Sequence, residues 1–150
     1  MRGMRIDWAR SKEAIALDLD VAAHHLFGPD EEHKSRKYAA IGSCVGDRWK
    51  LISQATLAEI LTKARLRLTD AELDFLIEGI KKQYLVMQTT DELCVAFSKI
   101  KRQAERSGHR NPEHHRVWTA AICQTTKIFV LALSKGDYLH LLPLSQVEEL

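Results

Sequence analysis

The sequence predicts an α/β protein, a three-layer α/β/α sandwich around a central, mainly parallel sheet. Two observations carry this. Short apolar runs recur along the chain as candidate buried strands, and Ile128–Leu133 is the clearest of them. Longer stretches with apolar residues at helical spacing lie between them, several opened by capping signals. Strands apolar on both faces and separated by helices need crossover connections and cover on both sides. That is a parallel sheet between helical layers.

In chain order, residues 1–13 are a polar lead-in and residues 14–150 the domain. Ala14–Leu17 is the first strand, followed by a short helix through Phe27 that Gly28-Pro29-Asp30 breaks. Glu31–Val45 reads as a helix ended by Gly46-Asp47. Trp49–Ile52 is the second strand. Ser53 is placed to cap a helix Gln54–Arg67, with Leu57, Ile60, Leu61, Ala64 and Leu68 as its core face. Thr69-Asp70-Ala71-Glu72 matches a capping box, and the helix behind it carries Leu73, Leu76, Ile77 and Ile80. Tyr84–Met87 is the third strand. Thr89-Thr90-Asp91-Glu92 repeats the box pattern before a helix lined by Leu93, Ala96, Phe97, Ile100 and Ala104. His115–Thr125 is helical, and its small residues Ala120 and Ala121 allow close packing. Ile128–Leu133 then gives the next strand and Ser134-Lys135-Gly136-Asp137 a turn. Tyr138–Leu142 reads as a single helical turn and Pro143–Leu150 as a closing edge strand.

A chain of 150 residues with 45% apolar and 28% charged residues is an ordinary globular domain able to bury its own core. A net charge of +2 gives no global argument for nucleic acid. Cys44, Cys94 and Cys123 are far apart and form no CxxC, so neither a disulfide framework nor a zinc ribbon is indicated. No apolar run reaches the ~18 residues of a membrane span, and Met1–Arg5 leads into no signal core. The expected location is the cytoplasm.

The most informative stretch is Ala14-Ile15-Ala16-Leu17-Asp18-Leu19-Asp20-Val21. Burying an unpaired carboxylate is unfavourable, yet acids stand here at the end of a buried strand. In open α/β sheets, ligands sit at the carboxyl ends of strands. Asp18 and Asp20 therefore open either an acidic, metal-seeking site or simply the next helix, as caps.

Three segments in order resemble the PIN-domain nucleases. Ile15–Val21 is similar to that family's opening strand, in which an aspartate is followed by a polar residue, Asn or Asp, and Val. Leu51–Ile60 is similar to its second motif, a strand, a Ser and a helix bearing the acid, here Glu59. Val130–Tyr138 is similar to its last strand and acidic turn. The resemblance spans about Ile15 to Leu142. It implies a carboxylate cluster of Asp18, Glu59 and Asp137, with Asp20 and Ser134 in support, holding Mg²⁺ or Mn²⁺ for ribonuclease chemistry. The family's third motif opens a helix with an aspartate, and here that position falls on His115. Imidazole in place of carboxylate removes a hard ligand and suits Mn²⁺ better than Mg²⁺. The resemblance thus implies a site of reduced or Mn²⁺-biased activity with His115 as a further catalytic candidate. The alternative is an inactive PIN-like module that binds RNA or a protein partner. The turn acid of the family follows Ser by two residues, whereas Asp137 follows Ser134 by three. Many small members of the family are toxins paired with an antitoxin, so an antitoxin partner and a homodimer are also implied.

Each residue has a plainer reading. Glu59 on a helix flank is a solvated charge, His115 a surface residue and Asp137 a turn residue. Lys101, Arg102, Arg106, Arg110 and Arg116 form a basic stretch that could steer an RNA backbone or simply face solvent.

Overall fold

The computed structural model describes residues 14–28 and 39–150. The lead-in 1–13, the Pro29-Asp30 break and the first part of the expected Glu31–Val45 helix lie outside the described residues. Strands β1 (Ala14–Leu17), β2 (Trp49–Ser53), β3 (Tyr84–Met87), β4 (Phe129–Ala132) and β5 (Val147–Glu149) form one sheet in the order β3-β2-β1-β4-β5. Every neighbouring pair is parallel. The helices are α1 (Leu19–Phe27), α2 (Ile41–Val45), α3 (Gln54–Ala64), α4 (Asp70–Gln83), α5 (Asp91–Arg106) and α6 (His114–Thr126).

Side chains alternate across the sheet, and the alternation divides the core. Ala14 and Ala16 of β1, Leu51 of β2 and Val130 and Ala132 of β4 pack on one face. There they meet Leu93, Ile100 and Ala104 of α5 and Val117, Ala120 and Ala121 of α6. Ile15, Leu17, Ile52 and Leu131 point to the other face, against α1, α2, Ile60 of α3 and Ile80 of α4. The small residues of β1 and α6 meet on the same face, which is what lets that helix lie close to the sheet.

Most boundaries follow local chemistry. Ser53 caps α3 by accepting the Thr56 amide, and both hydroxyls are buried and bonded to each other at 3.0 Å. Thr69 and Glu72 close the expected capping box at α4. The second box does not form. Thr90, not Thr89, caps α5, which puts Leu93 rather than Glu92 in the third helical position. Thr89 instead donates to Gln54 Oε1. Helix α3 stops at Ala64, short of the expected Arg67, because its last carbonyls close on Arg67 and Leu68 in a turn. The single helical turn after β4 is a 3₁₀ turn over Lys135–Tyr138, not Tyr138–Leu142. The closing strand is only Val147–Glu149, preceded by a 3₁₀ turn over Leu144–Gln146. This short, charged edge discourages pairing with other chains. Arg48 ties it to the start of β2 through a two-pronged bond to Glu148 at 2.9 Å. Among the described residues no helix is long and apolar enough to cross a membrane.

The topology places the site. The chain runs from β1 outward to β2 and β3, then returns to β4 on the other side of β1. The strand order reverses between β1 and β4, and ligand crevices form beyond the carboxyl ends of strands at such switch points. Asp18 follows β1 directly, and the Asp137 turn follows β4.

Candidate functional site

Asp18 is fully buried. Its amide donates to the Leu131 carbonyl, which extends the β1–β4 ladder by one residue. Its carboxylate caps α1 through the Asp20 amide at 3.4 Å. The capping reading of Asp18 is thus realised at α1.

Two donors meet its other oxygen. Tyr138 Oη donates to Oδ1 at 2.7 Å from the fully buried ring that ends the 3₁₀ turn. Arg116 Nε donates to the same oxygen at 3.3 Å from the first turn of α6. The Arg116 guanidinium reaches further: Nη1 is 3.1 Å from Glu113, and Nη2 lies 3.5 Å from Asp20 and 3.8 Å from Asp137. All three guanidinium nitrogens thus face carboxylates, and the side chain is only 18% exposed. Burial lowers the Arg116 pKa, but attraction to Asp18, their hydrogen bond, and the charges of Asp137 and Glu113 more than offset it. The net shift is upward, so the cation is held.

The opposite holds for Asp137. Burial raises its pKa, Arg116 pulls it back, and the nearby Asp18 and Asp20 push it up again, leaving it above the ordinary carboxylate value. Burial, with Asp18 next in weight, pushes the Tyr138 hydroxyl well up, so it stays a neutral donor. The Asp137 shift has a stability consequence. A carboxyl whose folded pKa is raised binds more protons folded than unfolded, so its contribution worsens as pH climbs through the ordinary carboxylate range toward the folded pKa. Asp137→Asn is therefore expected to raise the melting temperature at pH 7. The gain should disappear at pH values below the ordinary carboxylate pKa, where Asp137 is protonated in both states. Melting curves of both proteins from acid to neutral pH check this.

In front of this cluster lies a cleft of about 410 Å³ lined by Asp20, Glu59, Lys63, Glu113, His115 and Arg116 among others. The structure thus gathers Asp18, Asp20 and Asp137 around Arg116 and puts Glu59 on the same cleft. Glu59 is exposed, and its side chain makes no hydrogen bond or ion pair among the described residues. His115 lines the cleft but does not face Asp18, since the side chain that α6 directs there is Arg116. The His115 ring pairs through Nε2 with Glu113 at 2.8 Å, and its buried Nδ1 has no hydrogen-bond partner among the described residues. Ser134 caps the 3₁₀ turn by accepting the Gly136 amide and so positions Asp137. Lys101 is half-buried on α5, while Arg102, Arg106 and Arg110 are exposed.

Sequence reading grouped Arg116 with the basic stretch and missed Glu113 and Tyr138. The available signal was Glu113-x-x-Arg116, an i,i+3 pair straddling a helix start. Tyr138 carried none beyond its place beside Asp137.

The donor set does not suit a divalent ion. Hard cations take several free oxygen ligands. Here Asp18 Oδ1 accepts two donors and Oδ2 receives an amide. Asp20 and Asp137 face a guanidinium. Among the described residues, no three His, Cys, Asp or Glu side chains are grouped to hold an ion. In this arrangement the residues do not fit Mg²⁺ or Mn²⁺.

No family model and no curated protein sequence matches the chain. Solved structures do match. VapBC from Salmonella typhimurium bound to DNA superposes with a TM-score of 0.68 at 15% identity, covering 91% of this chain and 97% of that one. VapBC2 from Rickettsia felis, bound to a DNA fragment from its promoter, gives 0.67 at 9% identity over 91% and 98%. VapBC-1 from nontypeable Haemophilus influenzae gives 0.67 at 14% identity over 91% and 97%. The fold is PIN-like. At these identities the likeness is one of architecture: a PIN-like sheet with its helical layers covers nearly the whole chain.

Proposed function

We propose that the chain is the PIN-like member of a toxin–antitoxin-type pair, an RNA-directed module that does not hydrolyse RNA with its site as arranged. One observation carries the non-hydrolytic part: Arg116 holds Asp18, Asp20 and Asp137, the carboxylates that metal-assisted phosphodiester cleavage would need free. Support for the pairing comes from the neighbours of the fold, which are VapBC complexes. RNA would track the exposed Arg102, Arg106 and Arg110 together with Lys101, through sequence-independent phosphate contacts.

A second reading is favoured by Asp18 and Asp137 meeting at Arg116 while Glu59 stands on the cleft that Arg116 lines. In it the chain is a PIN-type endoribonuclease using Mg²⁺ or Mn²⁺ on those three residues, with His115 assisting. Incubation of the folded chain with a mixed single-stranded RNA pool and either ion separates the two. The expected result is retention of RNA at low salt without cleavage. Cleavage that disappears in Asp18→Asn would establish the second reading instead. Co-expression with the product of any small adjoining reading frame tests the pairing, the expected result being co-purification as a complex.

A further inference from the structure

We propose that the Arg116 guanidinium is a built-in replacement for a metal ion: a covalently attached cation that neutralises the acidic switch-point cluster and makes divalent ions unnecessary there. The geometry points to this in three ways. First, the guanidinium lies among Asp18, Asp20, Asp137 and Glu113 and uses every nitrogen on them. A planar fork with five donors can satisfy several carboxylates at once without coordination geometry. Second, the position is unfavourable for a cation on local grounds. The first turn of a helix favours negative charge, yet the first turn of α6 contains no acid and does contain Arg116. What offsets that is the cluster it faces. Third, Asp18 is fully buried, and its Tyr138 bond supplies a neutral donor that balances no charge. A buried carboxylate of this kind requires a cation in contact, and Arg116 is the cation that touches it.

Removing the guanidinium should therefore turn the cluster into what it displaces, an ion site. The carboxylates of Asp18, Asp20, Asp137 and Glu113 would face one another without a counter-charge. A divalent ion would then be recruited to relieve their repulsion. This proposal deepens the non-hydrolytic reading, but its test reads ion binding rather than RNA. A chain that proves to bind no RNA leaves it intact.

The test uses the full chain and compares wild type, Arg116→Ser, Arg116→Lys and Arg116→Ser/Asp18→Asn. Mn²⁺ binding is followed by electron paramagnetic resonance, and melting temperature is measured in chelator and in Mg²⁺ or Mn²⁺. Arg116→Ser is expected to melt lower than wild type in chelator and to recover with Mn²⁺, because an ion bound only by the folded state stabilises it. Its Mn²⁺ affinity is expected to exceed that of wild type by at least about tenfold. The double variant should lose that affinity. Wild type and Arg116→Lys, which keeps the charge, should show no ion-dependent shift. Wild-type Mn²⁺ binding as tight as that of Arg116→Ser overturns the proposal, and so does a folded Arg116→Ser that binds no ion. If Arg116→Ser folds under no condition, the wild-type and Arg116→Lys titrations decide. Ion binding by either one overturns the proposal, and its absence from both supports it.

Discussion

Replacing Asp18 by alanine is expected to lower the free energy of unfolding by about 3–5 kcal/mol, the range for breaking a buried charge pair by removing one partner. The attraction between Asp18 and Arg116 is not the main reason, since a buried pair in place roughly balances its own desolvation. The loss comes from what remains. Arg116 is 18% exposed and would keep only its contacts to Asp20, Glu113 and Asp137, all less buried than Asp18. The Tyr138 hydroxyl, inside a fully buried side chain, would lose its acceptor. Helix α1 would lose its cap. Asp18→Asn keeps the shape and an acceptor oxygen, so its loss should be distinctly smaller. Urea denaturation of the three proteins measures this. An Asp18→Ala loss under about 1 kcal/mol is what an exposed pair gives, and would mean that water reaches the cluster.

Much of this architecture was legible because each signal was local. Four-residue apolar strands, Ser53, the Thr69–Glu72 box and the small face of α6 each act within a turn or two of sequence. What failed was equally local but competitive. Thr89 and Thr90 both precede a helix, and only the folded chain shows that Gln54 of α3 takes Thr89 while Thr90 becomes the cap.

The site divides differently. Asp18 was legible because an acid directly after a buried strand is out of place unless something faces it. Asp137 lies in the 3₁₀ turn capped by Ser134 and comes within 3.8 Å of the Arg116 guanidinium. Arg116 was legible as a charge and illegible as a partner. Its contact with Asp18 spans 98 residues, and the i,i+3 spacing to Glu113 that marks it along the chain carries no information about Asp18. His115, the expected departure, lies one position from Arg116, the residue that contacts Asp18. On a helix, neighbouring residues point about 100° apart, so the sequence located the turn of α6 that matters and not which side of it faces the acids.

Leu17→Ala is expected to cost about 2–5 kcal/mol, the range for a buried leucine truncated to alanine. Leu17 is fully buried in the central strand, paired in register with Leu131 of β4 and packed on the α1–α4 face. Two covering layers and two neighbouring strands leave the cavity little room to collapse. Phe75 on α4 is the internal contrast. It is larger but 81% exposed, and Phe75→Ala should stay within about 0.5 kcal/mol of wild type. Leu17 also immediately precedes Asp18, so a cavity there loosens the end of β1 that aims the carboxylate. The double variant Leu17→Ala/Asp18→Ala should therefore lose less than the sum of the single changes, with a coupling of about 0.5–3 kcal/mol. Strict additivity in denaturation midpoints would show that α1 and the β4 ladder hold Asp18 in place without help from the core behind it. The coupling expected here says instead that the packing of β1 and the geometry of the acidic cluster are one structural unit.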